Sequence, residues 1–357
     1  MTSSDAVRGS SVAERAPVTA LEESILSQPA AVAAALTSNA DAIRTASAMV
    51  AAARRVRLCG VGASGHAAQV GEHLMRSVGI DARAVNAYDL AVYPTNFEPG
   101  ELLIVFTHRG GVNYTSRALG RAIRAGLKTI AITGRDAEGV RADVNIATTP
   151  RERSATHTVS FTTAMAVTAA ICARCEPRSA LASALAALPE HLRAVLTSRA
   201  IAADVAREMV VPGRRTLICG AGALHPIARG GALSVKEAAY LVVEGNHLED
   251  SIHGGLHGLN PGDVLIQLAP DGASNDRNDD LADIADALRL LRWKIGGPPL
   301  RARWHTPLPA VPEAISPIIA TVPLQWLALE CALCRGTDPD VFRRDDPHFL
   351  AAYPQPQ

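Results

Sequence analysis

Net charge is missing from this chain: 35 Lys and Arg face 35 Asp and Glu over 357 residues. Balanced charge excludes electrostatic capture of nucleic acid or of an anionic membrane as the main mode of binding. Aromatic residues make up only 4 %, too few for a base-stacking platform. No uninterrupted apolar run reaches the ~18 residues that a membrane span needs. The polar start, MTSSDAVRGSSVAERAPV, lacks the apolar centre of a secretion signal. The expectation is a cytoplasmic protein with neither nucleic acid nor membrane as partner. Cysteines are also few, six in all, and without a signal they read as reduced thiols rather than a disulfide frame. What remains is ample apolar content, 48 % hydrophobic residues at a mean hydropathy of +0.11, enough for one large core or two medium ones.

The cysteine spacing exposes the organisation. Cys172 and Cys175 form one CxxC pair, Cys331 and Cys334 another. Two such pairs raise zinc as a reading. Both lie in Ala- and Leu-rich stretches of helical character, where an i, i+3 pair simply shares one face. Packing is the preferred reading. Aligned against itself, the chain repeats: RRVRLCGVGASGHA from Arg54 recurs as RRTLICGAGALHP from Arg214. EPGELLIVFTHRG from Glu98 is answered by NPGDVLIQLAPDG from Asn260. Cys59 matches Cys219 and the CxxC pairs match each other, so all six cysteines are positions of one duplicated unit. So long a period implies two homologous domains.

Each unit begins with a short apolar run ending in glycines, then a helical stretch, then a second apolar run after Pro-Gly. The first unit adds a third strand, LKTIAIT. Short strands alternating with longer helices indicate α/β architecture, a parallel sheet covered on both faces. Ligands bind such sheets at the carboxyl ends of the strands, beside helix N-termini. That places residues 60–65 and 107–111 at one ligand edge. The predicted layout is a disordered N-terminus over 1–18 and a helical region over 19–53, interrupted at Pro29 and recapped by Ser38, Asn39 and Asp41. The first domain follows over 54–195, the second over 196–338, and an extended, Pro-rich tail over 339–357.

The GxGxSG-like loop alone is a weak nucleotide signal, and the second unit lacks its third glycine. The duplicated chain instead resembles the tandem sugar isomerase (SIS) domain family, specifically the isomerase half of glucosamine-6-phosphate synthase and of sugar-amine deglycases. The resemblance runs from about Leu21 onward. It rests on Glu23 to Gln28-Pro29, Gly62-Ala63-Ser64, Gly231 through Lys236-Glu237 to Tyr240, and His253-Gly254. Ser316-Pro-Ile, Pro323-Leu-Gln325 and Gly336-Thr-Asp338 complete it. It implies two SIS domains, each a flavodoxin-like doubly wound sheet, and a homodimer with shared active sites. It also implies Glu237 as the carboxylate base and His253 as the ring-opening acid/base, reaching in from a second subunit. Read without the resemblance, Glu237 is a solvated helix residue or a partner of Lys236, and His253 a loop-packing residue.

Other parts depart from the family. Its phosphate loop, S-Q-S-G-E-T, stands here as Thr107-His108-Arg109-Gly110-Gly111-Val112, keeping only the first hydroxyl and a glycine. Arg109 offers a fork of donors to a phosphate or carboxylate, or a salt bridge to a neighbour. His108 is a ligand contact or a surface imidazole. The family's S-T-K-A-F-T wall is altered too, to His157-Thr158-Val159-Ser160-Phe161-Thr162. The lysine that the family places near the C-terminus aligns with Pro347, and Ser234 replaces another lysine. His247, His253 and His257 cluster with Glu249 and Asp250, but the resemblance accounts for His253 without a metal. Neither metal nor cofactor is expected.

The expected function is action on a sugar or amino-sugar phosphate, by aldose–ketose isomerisation or by making or breaking a C–N bond. The expectation is of an enzyme without a glutaminase segment before the first unit, so that deglycation, deamination or isomerisation is favoured. The alternative is a non-catalytic sugar-phosphate sensor or scaffold.

Overall fold

The computed structural model describes residues 18–353, so most of the expected disordered N-terminus lies outside it. Two five-stranded, wholly parallel sheets organise the chain. The first contains β1 (Arg55–Gly60), β2 (Ala82–Asn86), β3 (Glu101–Thr107), β4 (Lys128–Thr133) and β5 (Val144–Ala147), in the order β2-β1-β3-β4-β5. The second contains β6 (Thr216–Gly220), β7 (Glu244–His247), β8 (Val264–Leu268), β9 (Leu291–Ile295) and β10 (Trp304–Thr306), in the order β10-β9-β8-β6-β7. Read from β7, the second order is the same as the first, the 2-1-3-4-5 winding of flavodoxin-like sheets. The second sheet therefore holds more strands than its apolar runs suggested. β9 and β10 carry Arg292, Trp293, Lys294 and His305, and this mixed composition hid them.

β3, ELLIVFT, is buried at every position, as a central strand with helices on both faces must be. Two long apolar helices, Val159–Cys175 and Ser316–Arg335, are almost entirely buried. They belong to one continuous core that also takes Leu58 and Ile104 from the first sheet and Ile218 and Ile266 from the second. The stretch Glu313–Arg335 is long and apolar enough to cross a membrane by length and composition, yet 89 % of its most apolar window is buried inside the fold. Cys172 and Cys331 sit in this core, and all six cysteines are free thiols.

Three local expectations change. The N-terminal helix runs unbroken from Ala20 to Ser38 through Pro29. Proline cannot supply the N–H owed to the carbonyl four residues earlier, which is that of Ile25; the side-chain amide of Gln28 donates to it instead, at 3.0 Å. Asn39 does stand before the next helix, Ala40–Ala52, but makes no side-chain cap. Its amide instead binds both backbone groups of Ala147 on β5, at 2.8 and 3.1 Å. The C-terminal segment is not extended: it turns and forms a short helix, Pro347–Ala352. It is tied down by Asp340, which accepts the N–H groups of Ala20 and Leu21 at 2.8 and 2.9 Å, and by the N–H of Arg343, which donates to the Tyr240 hydroxyl at 2.8 Å.

Candidate functional site

The order of the first sheet reverses between β1 and β3, and there the loops after the two strands diverge to leave a crevice. A cavity of about 350 Å³ occupies it. Gly62, at φ +58°, turns the chain from β1 into the helix Ala63–Ser77, whose first residues, Ala63 and Ser64, line the cavity. After β3, Thr107, His108 and Arg109 line it as well. The next helix, Tyr114–Arg124, opens on a capping box between Asn113 and Ser116. Two helix N-termini thus border one space, a favourable setting for an anion. Gly110 does not face the cavity; it pairs with Glu138, and at φ +69° a Cβ there would lie 2.4 Å from the Glu138 carbonyl.

The opposite wall comes from the second half of the chain. Glu237, on the helix Leu224–Ala239, lines this cavity and an adjoining one of about 420 Å³. Burial pushes its carboxyl up to about 8, because a charge there loses water without gaining a compensating partner. Lys236, its exposed neighbour, lines only the adjoining cavity, together with Phe342 and Arg343 of the C-terminal segment. His253 ends the helix Leu248–His253, lines neither cavity, and is paired with Glu249 at 2.8 Å with 74 % of its side chain exposed. His247 accepts the N–H of Glu249 instead of converging with His253.

Behind the cavity lies a residue that sequence reasoning missed. Glu152 is buried and accepts the N–H groups of Thr158 (3.0 Å) and Ser160 (2.9 Å), along with the hydroxyls of both. Burial alone would raise its carboxyl, but hydrogen bonds from His157, Ser160 and Thr158 hold it down at about 2. Thr158, expected to touch ligand, is instead fully buried in this support. His157 lines the cavity, with its Nδ1 3.4 Å from Glu152 and 3.3 Å from Ser160 Oγ. His108 packs edge-to-face on it at 5.2 Å and accepts the Glu152 N–H on Nε2 at 3.3 Å. Arg109 is pushed down by burial and by Arg151 nearby. No motif announced Glu152; the only hint was a lone acid between two arginines.

Burial pushes His66 and His108 each down to about 4. An imidazole that is neutral when folded but takes a proton near pH 6.5 when unfolded favours unfolding in acid. Their contribution is complete above about pH 6.5 and is lost as pH falls toward 4. Melting temperature is expected to drop through that window, and less steeply in His66→Gln; parallel curves for the two proteins would refute the assignment.

Comparison with known proteins agrees with this architecture. Residues 49–174 match the SIS domain family. The chain is 27 % identical over 314 residues to a glutamine–fructose-6-phosphate aminotransferase (isomerizing) of Pyrobaculum aerophilum, covering 84 % of this chain and 52 % of that protein. The chain thus spans about half the length of the curated relatives it matches. The C-terminal domain of glucosamine-fructose-6-phosphate aminotransferase from Francisella tularensis has the same fold. It superposes with a TM-score of 0.81 at 19 % identity, over 91 % of this chain and 99 % of that one. A glucosamine-6-phosphate deaminase from Thermotoga maritima gives a TM-score of 0.74 at 18 % identity, over 90 % and 97 %. Over residues 49–174 this chain thus matches the SIS domain, and its described fold is the one these proteins share.

Proposed function

We propose that this chain is an enzyme of sugar-phosphate chemistry. It catalyses aldose–ketose isomerisation, or the related making or breaking of a C–N bond on an amino-sugar phosphate, with Glu237 as the base. The observation that carries this reading is Glu237 itself, a carboxyl raised to about 8 by burial in a cavity bordered by two helix N-termini. Moving a proton between adjacent carbons needs one base that can be both charged and neutral near operating pH, which a carboxyl in bulk water is not. The helix N-termini suit a phosphate, and Arg109 stands where the family's loop would offer a hydroxyl. The similar proteins are named as an aminotransferase and a deaminase of sugar phosphates, which supports the substrate class. Opening the sugar ring falls to an imidazole. His253 would serve only from a second copy of the chain, so assigning it makes a homodimer part of the reading.

The test is solvent exchange. Fructose 6-phosphate, glucosamine 6-phosphate and related sugar phosphates are incubated with the protein in D₂O and followed by NMR. Entry of deuterium at the carbon beside the carbonyl, lost in Glu237→Gln, is the expected result. Sugar phosphates that raise the melting temperature without any exchange would identify a binding protein and sink the enzymatic reading.

A further inference from the structure

His157 stands in the altered wall of the cavity with Glu152 packed behind it, and their geometry has a direction. Ser160 Oγ donates its proton to Glu152, so toward His157 it can only accept, and the His157 Nδ1 must donate. The same nitrogen lies 3.4 Å from the Glu152 carboxylate. Nδ1–H is thereby directed at a buried anion, and Nε2 is left with its lone pair on a side chain that lines the cavity. Glu152 is itself held by two backbone N–H groups and two hydroxyls, and its own N–H binds His108. Carboxylate, imidazole and loop thus form one pre-set unit. This is the arrangement by which a buried acid fixes the tautomer of a histidine.

We propose that His157, positioned by Glu152 through Ser160, is an acid/base group of the cavity that opens the ring of a cyclic sugar within a single chain. The inference rests on the enzymatic reading above. In the step, the proton of the anomeric hydroxyl passes to Nε2, and the electron pair of that O–H bond closes the carbonyl. The ring C–O bond breaks, and the ring oxygen takes the proton back from Nε2. Nothing is gained or lost, and the transient imidazolium is balanced by Glu152. Glu237, across the same cavity, is then free for transfer between carbons.

His108, Glu152 and His157 are also, among the described residues, the one group of His, Cys, Asp and Glu whose ligand atoms converge, within 4.8 Å. A metal would have to displace the donors already on Glu152. The existing bonds therefore favour proton chemistry over coordination.

Three measurements decide it. Nitrogen-15 NMR of histidine-labelled full chain should show neutral His157 as the Nδ1–H tautomer, with a mixture of tautomers in Glu152→Gln; an Nε2–H tautomer in the unmutated protein overturns the proposal. In the exchange assay, His157→Gln should lower kcat on glucosamine 6-phosphate roughly 10²-fold, within the usual worth of a general acid/base, with KM changed less than about threefold. Erythrose 4-phosphate cannot close a ring, so its exchange should survive His157→Gln and fail in Glu237→Gln. Loss of turnover in His253→Gln with none in His157→Gln gives ring opening to His253 and overturns the proposal, as does stoichiometric zinc that His157→Gln releases. A chain that exchanges no sugar at all sinks the enzymatic reading instead, and the tautomer still tells whether the dyad is built as described.

Discussion

Glu237→Gln is expected to cut turnover by orders of magnitude and, in the same protein, to raise stability above neutral pH. The two effects share one cause. Burial lifts the carboxyl from its ordinary 4.5 to about 8, so between those values the folded chain keeps a proton that the unfolded chain releases. Stability contributed by the neutral acid is present below about pH 4.5 and is lost as pH rises through 8. An amide of the same shape never ionises and escapes that loss. Because Glu237 borders an open cavity, the gain at pH 9 should be on the order of 1–3 kcal/mol, below the full value of a shift this large. Turnover should fall by roughly 10²- to 10⁴-fold. Melting curves from pH 6 to 9 check the first effect, deuterium exchange the second. Identical curves for variant and parent would show that the carboxyl is hydrated and ordinary, removing the main support for its role as base.

Gln28→Leu should be the most damaging conservative substitution in the N-terminal helix. The Gln28 amide donates to the Ile25 carbonyl at 3.0 Å and to Gln325 Oε1 at 2.7 Å, while its oxygen accepts the Thr162 hydroxyl. Leucine keeps the volume but orphans two buried acceptors, at about 1–3 kcal/mol each, so a loss of about 2–6 kcal/mol is expected in denaturant unfolding. Pro29→Ala restores the backbone N–H that Ile25 lacks. The double variant Gln28→Leu, Pro29→Ala should therefore recover about 1 kcal/mol relative to the single one. No recovery would mean that the Ile25 carbonyl was not the group at stake.

Gln28, Thr162 and Gln325 also show what a motif can hide. Gln28 and Gln325 lie in segments that carry the family resemblance and Thr162 at the end of the altered wall, yet they meet one another in the core. Their pattern reflects how the N-terminal helix locks onto the two central buried helices, not contact with ligand. Glu237 lies in the same kind of motif and does line the cavity. From sequence the two cases look alike, since one pattern serves both a polar residue that satisfies a neighbour and one that faces a cavity.

Sequence by itself determined the alternation of buried strands and helices in parallel sheets, and that the loops after β1 and β3 meet at one sheet edge. These follow from local periodicity, glycine placement and apolar runs, which act over a few residues and leave their mark there. Tertiary structure alone decided three things. It set Glu237 across from Gly62 and Thr107, more than a hundred residues away in the chain, and desolvated it. It put His253 on the surface, paired with Glu249. It also folded the 152–160 loop so that one unremarkable glutamate gathers its hydrogen bonds and orients His157. Burial and the convergence of distant loops govern the protonation of all these groups, and neither leaves a local pattern in the chain.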